Sequence, residues 1–120
     1  MVREFIFIYN ARGGRFHELL DLIHKYASPS TYKCSLCMIT YNIKMKESWK
    51  NFISNSKHEF KFLHIEDLLH FNLEAYKDEL PICLEKINDN YQVVIDSKAM
   101  NNLKDQEELI NLFIEKTQGQ

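Results

Sequence analysis

Cys34 and Cys37 form a Cys-x-x-Cys pair inside the stretch Ser28–Tyr41, SPSTYKCSLCMITY. That spacing suits redox chemistry. A dithiol cycles with a disulfide when a helix N-terminus or a neighbouring cation depresses one thiol pKa and a second thiol lies in reach to resolve it. Lys33 adjoins the pair, and His24 ends the helical pattern just before it. The same thiolates are soft ligands for zinc or iron. A structural zinc site takes four ligands, and one Cys-x-x-Cys supplies only half of them. The chain has no second Cys-x-x-Cys and no His-x-x-x-His. A metal site built on Cys34, Cys37 and His24 would therefore recruit His64, Cys83 or a second subunit. Free cysteine is also among the most buried residue types, so the pair equally suits two small core hydrophobes. Redox, metal and structural readings all stay open on the residues alone.

Other polar groups gather nearby. His17, Asp21 and His24 share one helix face, where the carboxylate could orient an imidazole. The same spacing also makes a plain solvated face opposite Phe16, Leu20 and Ile23. His24 stands at the helix end where the dipole favours an imidazolium. Gly13 and Gly14, flanked by Arg12 and Arg15, make either an anion-binding turn at a helix N-terminus or an ordinary chain reversal. His64 reads as a core histidine, and Trp49 with Phe52 and Ile53 as core packing. There is no Ser-His-Asp ordering and no paired-carboxylate motif, so hydrolase chemistry is not expected.

The elements that must position these groups follow from patterning. Phe5–Tyr9 is a continuous apolar run, read as a strand buried on both faces. A helix is expected over Arg15–Ala27, ending before Pro29. A weak strand is expected over Cys37–Tyr41, then a helix over Lys46–Ser54 and a polar break at Ser56–His58. Phe60–Ile65 reads as a second strand and Glu66–Tyr76 as a helix carrying Leu68, Leu69, Leu73 and Tyr76. Leu80–Leu84 is a strand opened by Pro81, a position that tolerates the missing N–H. Asn88–Asn90 is a hairpin turn returning through Tyr91–Ile95. Asn102 is expected to cap a final helix over Leu103–Thr117, with Leu109, Ile110, Phe113 and Ile114 on its face.

The 120 residues suit one α/β domain with a core of its own, without staples. Hydrophobic residues at 45% and charged residues at 27% are those of an ordinary globular chain, which argues against disorder. A net charge of −2 with both signs dispersed argues against nucleic acid as a partner. The nearest basic cluster, Lys44, Lys46 and Lys50, is interrupted by Glu47. The apolar run after Met-Val-Arg-Glu is too short for a signal peptide or a membrane span, so a cytoplasmic location is expected. In that compartment a close cysteine pair is more often catalytic or metal-binding than a structural bridge.

The order of elements resembles the thioredoxin-like fold, a three-layer sandwich around a mixed sheet. The resemblance rests on the C-terminal half: the Leu80–Pro81 step opening a strand, a tight turn, a second strand, then an amphipathic helix. It implies that Pro81 is cis and forms one wall of the site. It also makes residues 28–45 an inserted cysteine loop between the first two strands of a domain spanning 1–120. The chain departs from that fold's redox members at Asn10–Gly14, where their Cys-x-x-Cys would sit and where this sequence has no cysteine. A second resemblance covers nearly the whole length. YNARGG, LDLIHK, SPSTYKCSLCMITY and FLHIED are similar to a small, poorly characterised bacterial family that reads YNA-x-SG and SPSTY-x-C-x-LC-x-LTYG. Gly13 replaces a frequent serine of that pattern, and Asn42 a glycine. Some members carry the label "GTPase", but this chain has no G-x-x-x-x-G-K-[ST] loop to cradle phosphates.

The expectation is a thiol-disulfide redox or redox-sensing protein with Cys34 and Cys37 as its dithiol. Pro81 would shape the site, and His24 would stabilise a thiolate or shuttle a proton. Cys34 is taken as the more exposed nucleophile, because Cys37 leads into the apolar Met38 and Ile39. The substrate would be a protein thiol or a small thiol. No cofactor is required on this reading; zinc or iron belongs to the metal alternative, and a non-catalytic interaction module is the third reading. A homodimer is left open.

Overall fold

The computed structural model describes residues 2–10, 41–42, 44–45 and 47–118. They form a mixed α/β structure around a four-stranded sheet of order β4-β1-β5-β6. β1 is Glu4–Ile8, β4 Glu59–Leu63, β5 Ile82–Ile87 and β6 Asn90–Ile95. β4 runs parallel to β1, with Phe5 opposite Phe60 and Phe7 opposite Phe62. β5 runs antiparallel to β1, with Phe7 opposite Cys83 and Ile8 opposite Ile82. β6 returns antiparallel to β5 through a turn in which Asn88 takes φ 58°, the left-handed region that asparagine tolerates. β2, Tyr41–Asn42, and β3, Lys44–Met45, form a separate two-stranded ribbon.

Successive side chains of a strand point to opposite faces, and β1 divides the core accordingly. Phe5, Phe7 and Tyr9 face one cluster, with Trp49, Cys83, Ile95, Met100, Leu109 and Phe113. Ile6 and Ile8 face another, with Leu63, Leu68, Leu73, Leu80, Ile82 and Leu84. Helices α1, Glu47–Asn55, α2, Ser97–Asn101, and α3, Gln106–Thr117, supply the first cover. The turn-rich segment 64–80 supplies the second. β1 is thus buried on both faces, as its unbroken apolar run requires. The Phe7 ring lies 5.2 Å from Trp49 and 5.6 Å from Phe62, and Phe5 meets Phe113 edge-on at 4.7 Å.

Two expected helices need correction. Glu66–Tyr76 is not one helix but two short 3-10 turns, Ile65–Asp67 and Glu74–Tyr76. Asn72 lies between them at φ 60°. The Leu73 amide donates to the Leu68 carbonyl at 2.8 Å and the Asn72 amide to that of Leu69 at 3.2 Å. This is the helix-terminating arrangement with a left-handed residue at its centre. It ends the helical path early and turns Leu68 and Leu73 into the same core cluster. At the C-terminus, Asn102 does not cap the last helix. Asp105 does, its carboxylate accepting from the Glu108 amide at 2.9 Å, while Glu108 accepts from the Lys104 amide. Asn102 instead closes the short α2, whose own cap is Asp96, accepting from the Ala99 amide at 2.8 Å.

The other helix and strand expectations differ from β1, α1, β4, β5 and β6 only at their ends. The expected helix Arg15–Ala27 and the SPSTY loop lie outside the described residues. So does the expected strand Cys37–Tyr41, apart from Tyr41. Among the described residues no helix is long and apolar enough to cross a membrane.

Candidate functional site

β1 and β4 are parallel, so they end at the same side of the sheet. β5 runs the opposite way and begins there. Tyr9, His64 and Pro81 therefore gather at one sheet end. The Tyr9 amide extends the ladder past Ile8 by donating to the Leu63 carbonyl at 2.9 Å. Its ring lies 5.4 Å from the His64 imidazole and 6.1 Å from Phe62. His64 thus continues the row of rings Phe60–Phe62 along β4, next to Phe5, Phe7 and Tyr9 on β1. The Leu80–Pro81 peptide bond is cis, and Pro81 is buried directly ahead of Ile82, the partner of Ile8.

Asp67 braces this end. Its Oδ2 accepts from the His64 backbone amide at 2.9 Å and stands 3.8 Å from the His64 Nδ1. That separation is too long for a hydrogen bond between the two side chains. The His64 side chain is a quarter exposed and that of Asp67 about two-fifths. The half-buried imidazole thus lies between the Tyr9 ring and the Asp67 carboxylate. His64 therefore sits at the sheet end rather than deep in the core, as its place in the FLHIED strand had implied. Tyr9 and Asp67 escaped the sequence reading. The signal for them was the alternation Phe60–Phe62–His64, which aligns with Phe5–Phe7–Tyr9 only once β1 and β4 are known to pair in parallel.

Of the expected site residues, Pro81 is at this sheet end. Cys34, Cys37 and His24 lie outside the described residues, as do His17, Asp21, Gly13 and Gly14. Cys83 is not at the site. It is a free thiol, fully buried opposite Phe7 in the helix-covered cluster. Burial, reinforced by the Glu85 charge, pushes its pKa well above the usual thiol value. A thiol held protonated in an apolar core is a poor nucleophile. Among the described residues no group of three His, Cys, Asp or Glu side chains is gathered to hold a metal ion.

The opposite end of the sheet is also charged. There a depression of about 550 Å³ is lined by Val2, Arg3, Glu4, Glu85, Lys86 and Asn88, among others. Its principal charges serve the fold. The Arg3 guanidinium makes two hydrogen bonds to the Glu85 carboxylate, at 2.7 and 2.8 Å, and a third to the Thr117 carbonyl at 2.9 Å. That pairing ties β1, β5 and the end of α3 together.

No family model, no curated protein and no solved structure matches this chain. What stands is the class the geometry defines: a mixed α/β protein with an aromatic and imidazole-bearing end to its sheet.

Proposed function

We propose that this is a thiol-disulfide redox or redox-sensing protein of thioredoxin-like architecture, with Cys34 and Cys37 as its dithiol and the Tyr9–His64–Pro81 sheet end as its working surface. The observation that carries the reading is the convergence at that end. Pro81 opens β5 beside the ends of β1 and β4, where Tyr9 and His64 also lie. The strand order, with a parallel neighbour on one side of β1 and an antiparallel hairpin on the other, supports the thioredoxin-like assignment. In each cycle the two thiols lose two electrons and two protons to become a disulfide, and a substrate disulfide gains them to become two thiols. His64, with Asp67 behind it, supplies a second imidazole besides His24 to take up or return a proton. The substrate class is a protein disulfide or a small disulfide.

Alkylation of the native reduced protein tests the assignment of roles. Cys34 should label first, Cys37 more slowly, and Cys83 only after unfolding, because a buried protonated thiol does not react. Labelling of Cys37 ahead of Cys34 would reverse the nucleophile assignment. Labelling of Cys83 ahead of both would remove the dithiol from the proposal.

A further inference from the structure

The two outer strands of the sheet are not alike. Outer strands expose unpaired backbone N–H and C=O groups, and proteins guard them with charge, proline, bulges or brevity. β4, EFKFL, carries Glu59 and Lys61. β6, NYQVVI, carries no charge, no proline and no glycine over six residues. Its one irregularity, a register shift opposite Cys83 and Leu84, comes near its C-terminal end and leaves Asn90–Val93 regular. The two-residue turn makes Ile87 and Asn90 the closing pair of the hairpin. The alternation of an antiparallel ladder then turns the N–H and C=O of Tyr91 and Val93 outward. Val93 is also 44% exposed, although its cross-strand neighbour Leu84 is fully buried. Among the described residues nothing pairs with this outer edge.

We infer that β6 pairs antiparallel with β6 of a second copy of this chain, about a two-fold axis at Gln92. The strand is complementary to itself. The axis sets Tyr91 of each copy against Val93 of the other. Both point to the same sheet face, since their partners on β5 are Lys86 and Leu84. An aromatic residue opposite a β-branched one is a favourable cross-strand pair. Gln92 meets Gln92, and an amide side chain both donates and accepts. No charge opposes a like charge. The same operation on β4, centred on Lys61, would set Lys61 against Lys61. Pairing through β6 joins the two sheets into one and covers Val93. The contact is one strand wide, at the small end of specific interfaces, so the dimer is concentration-dependent. It is independent of the redox reading, because β6 lies at the far side of the sheet from β4.

Sedimentation velocity of the full chain, from low micromolar to near-millimolar concentration, tests this together with amide hydrogen exchange. The expected result is a monomer–dimer equilibrium in which the Tyr91 and Val93 amides gain protection as the dimer fills. Val93→Lys should shift the equilibrium at least tenfold toward monomer, because the two introduced charges would lie diagonally across the axis on one sheet face, whereas Val93→Thr should leave it within about threefold. Unchanged circular dichroism would establish that the variants are folded. A wild-type monomer at every concentration overturns the inference. So does a dimer indifferent to Val93→Lys, or one whose Tyr91 and Val93 amides exchange at the monomer rate. Should Val93→Lys fail to fold, the amide protection of the wild type decides alone.

Discussion

Arg3 and Glu85, 82 residues apart, are joined by two hydrogen bonds of 2.7 and 2.8 Å, and both side chains are largely buried. The Arg3 guanidinium also lies over the Phe5 ring, 5.1 Å from its centroid. The bond to Glu85 raises the Arg3 pKa above its usual value. Removing one member of such a pair strands the other's charge in a poorly solvated place. Arg3→Ala is therefore expected to cost about 3 kcal/mol in urea unfolding, the low end for a broken buried pair. Arg3→Met with Glu85→Leu removes both charges and should cost far less than Arg3→Ala. Equal losses in the single and double variants would show that packing, not charge, is what the pair contributes.

His58 gives the fold a pH dependence of known sign. Its Nδ1 accepts the Arg3 backbone amide at 3.1 Å, and its ring meets Phe5 edge-on at 5.6 Å. Burial first, then the charges of Lys57 and Arg3, push its pKa below the usual histidine value. The unfolded chain therefore takes up this proton before the folded one does. The contribution of His58 is complete above the unfolded value of about 6.5 and is lost as pH falls toward the lower folded value. Protonated Nδ1 would also cease to accept from Arg3. His58→Asn keeps an acceptor and removes the titration. Its Tm should fall less than that of the wild type as pH drops from about 7.5 to about 5. Parallel Tm curves for the two proteins would remove His58 from this account.

Trp49, the chain's one tryptophan, is fully buried where α1 meets the sheet. Its backbone amide donates to the Gln106 side chain of α3 at 3.4 Å, and its buried indole Nε1 has no hydrogen-bond partner among the described residues. Trp49→Ala should cost about 3–5 kcal/mol through the cavity it leaves. Trp49→Phe should cost much less, since it keeps most of the ring and removes an unsatisfied donor. Emission should be blue-shifted in the native state and should move red in step with circular dichroism on denaturation. Red-shifted native emission would place the indole in water.

The strands were legible in the sequence where burial was extreme. Phe5–Tyr9 reads as a central strand because neither face can tolerate water. The hairpin at Asn88 was legible because few residues accept its backbone angles. Segment 66–76 was misread because Leu68, Leu69, Leu73 and Tyr76 fit a helical stripe, which outweighed Asn72, a residue type that takes the left-handed angles that end a helix. The caps Asp96 and Asp105 were passed over for Asn102, although Asp105 with Glu108 carries the Asp-x-x-Glu signature of a helix start. Pro81 was legible as the opening of a strand from its place before an apolar run, whereas its place in a site was implied only by the thioredoxin-like resemblance. Tyr9, His64 and Asp67 were not assigned there together, because their meeting depends on which strands pair and in which direction. Periodicity carries no such information.

The central claim is that Cys34 and Cys37 form a reversible dithiol. The most direct test equilibrates the protein in a series of glutathione or dithiothreitol redox buffers, quenches with a thiol alkylating agent and measures mass. The account predicts a single two-electron transition in which Cys34 and Cys37 together lose two hydrogens, with Cys83 reduced throughout. That transition should vanish in both Cys34→Ser and Cys37→Ser. A chain whose three thiols stay reduced until the most oxidising buffers, or a disulfide that includes Cys83 in the folded protein, would contradict it.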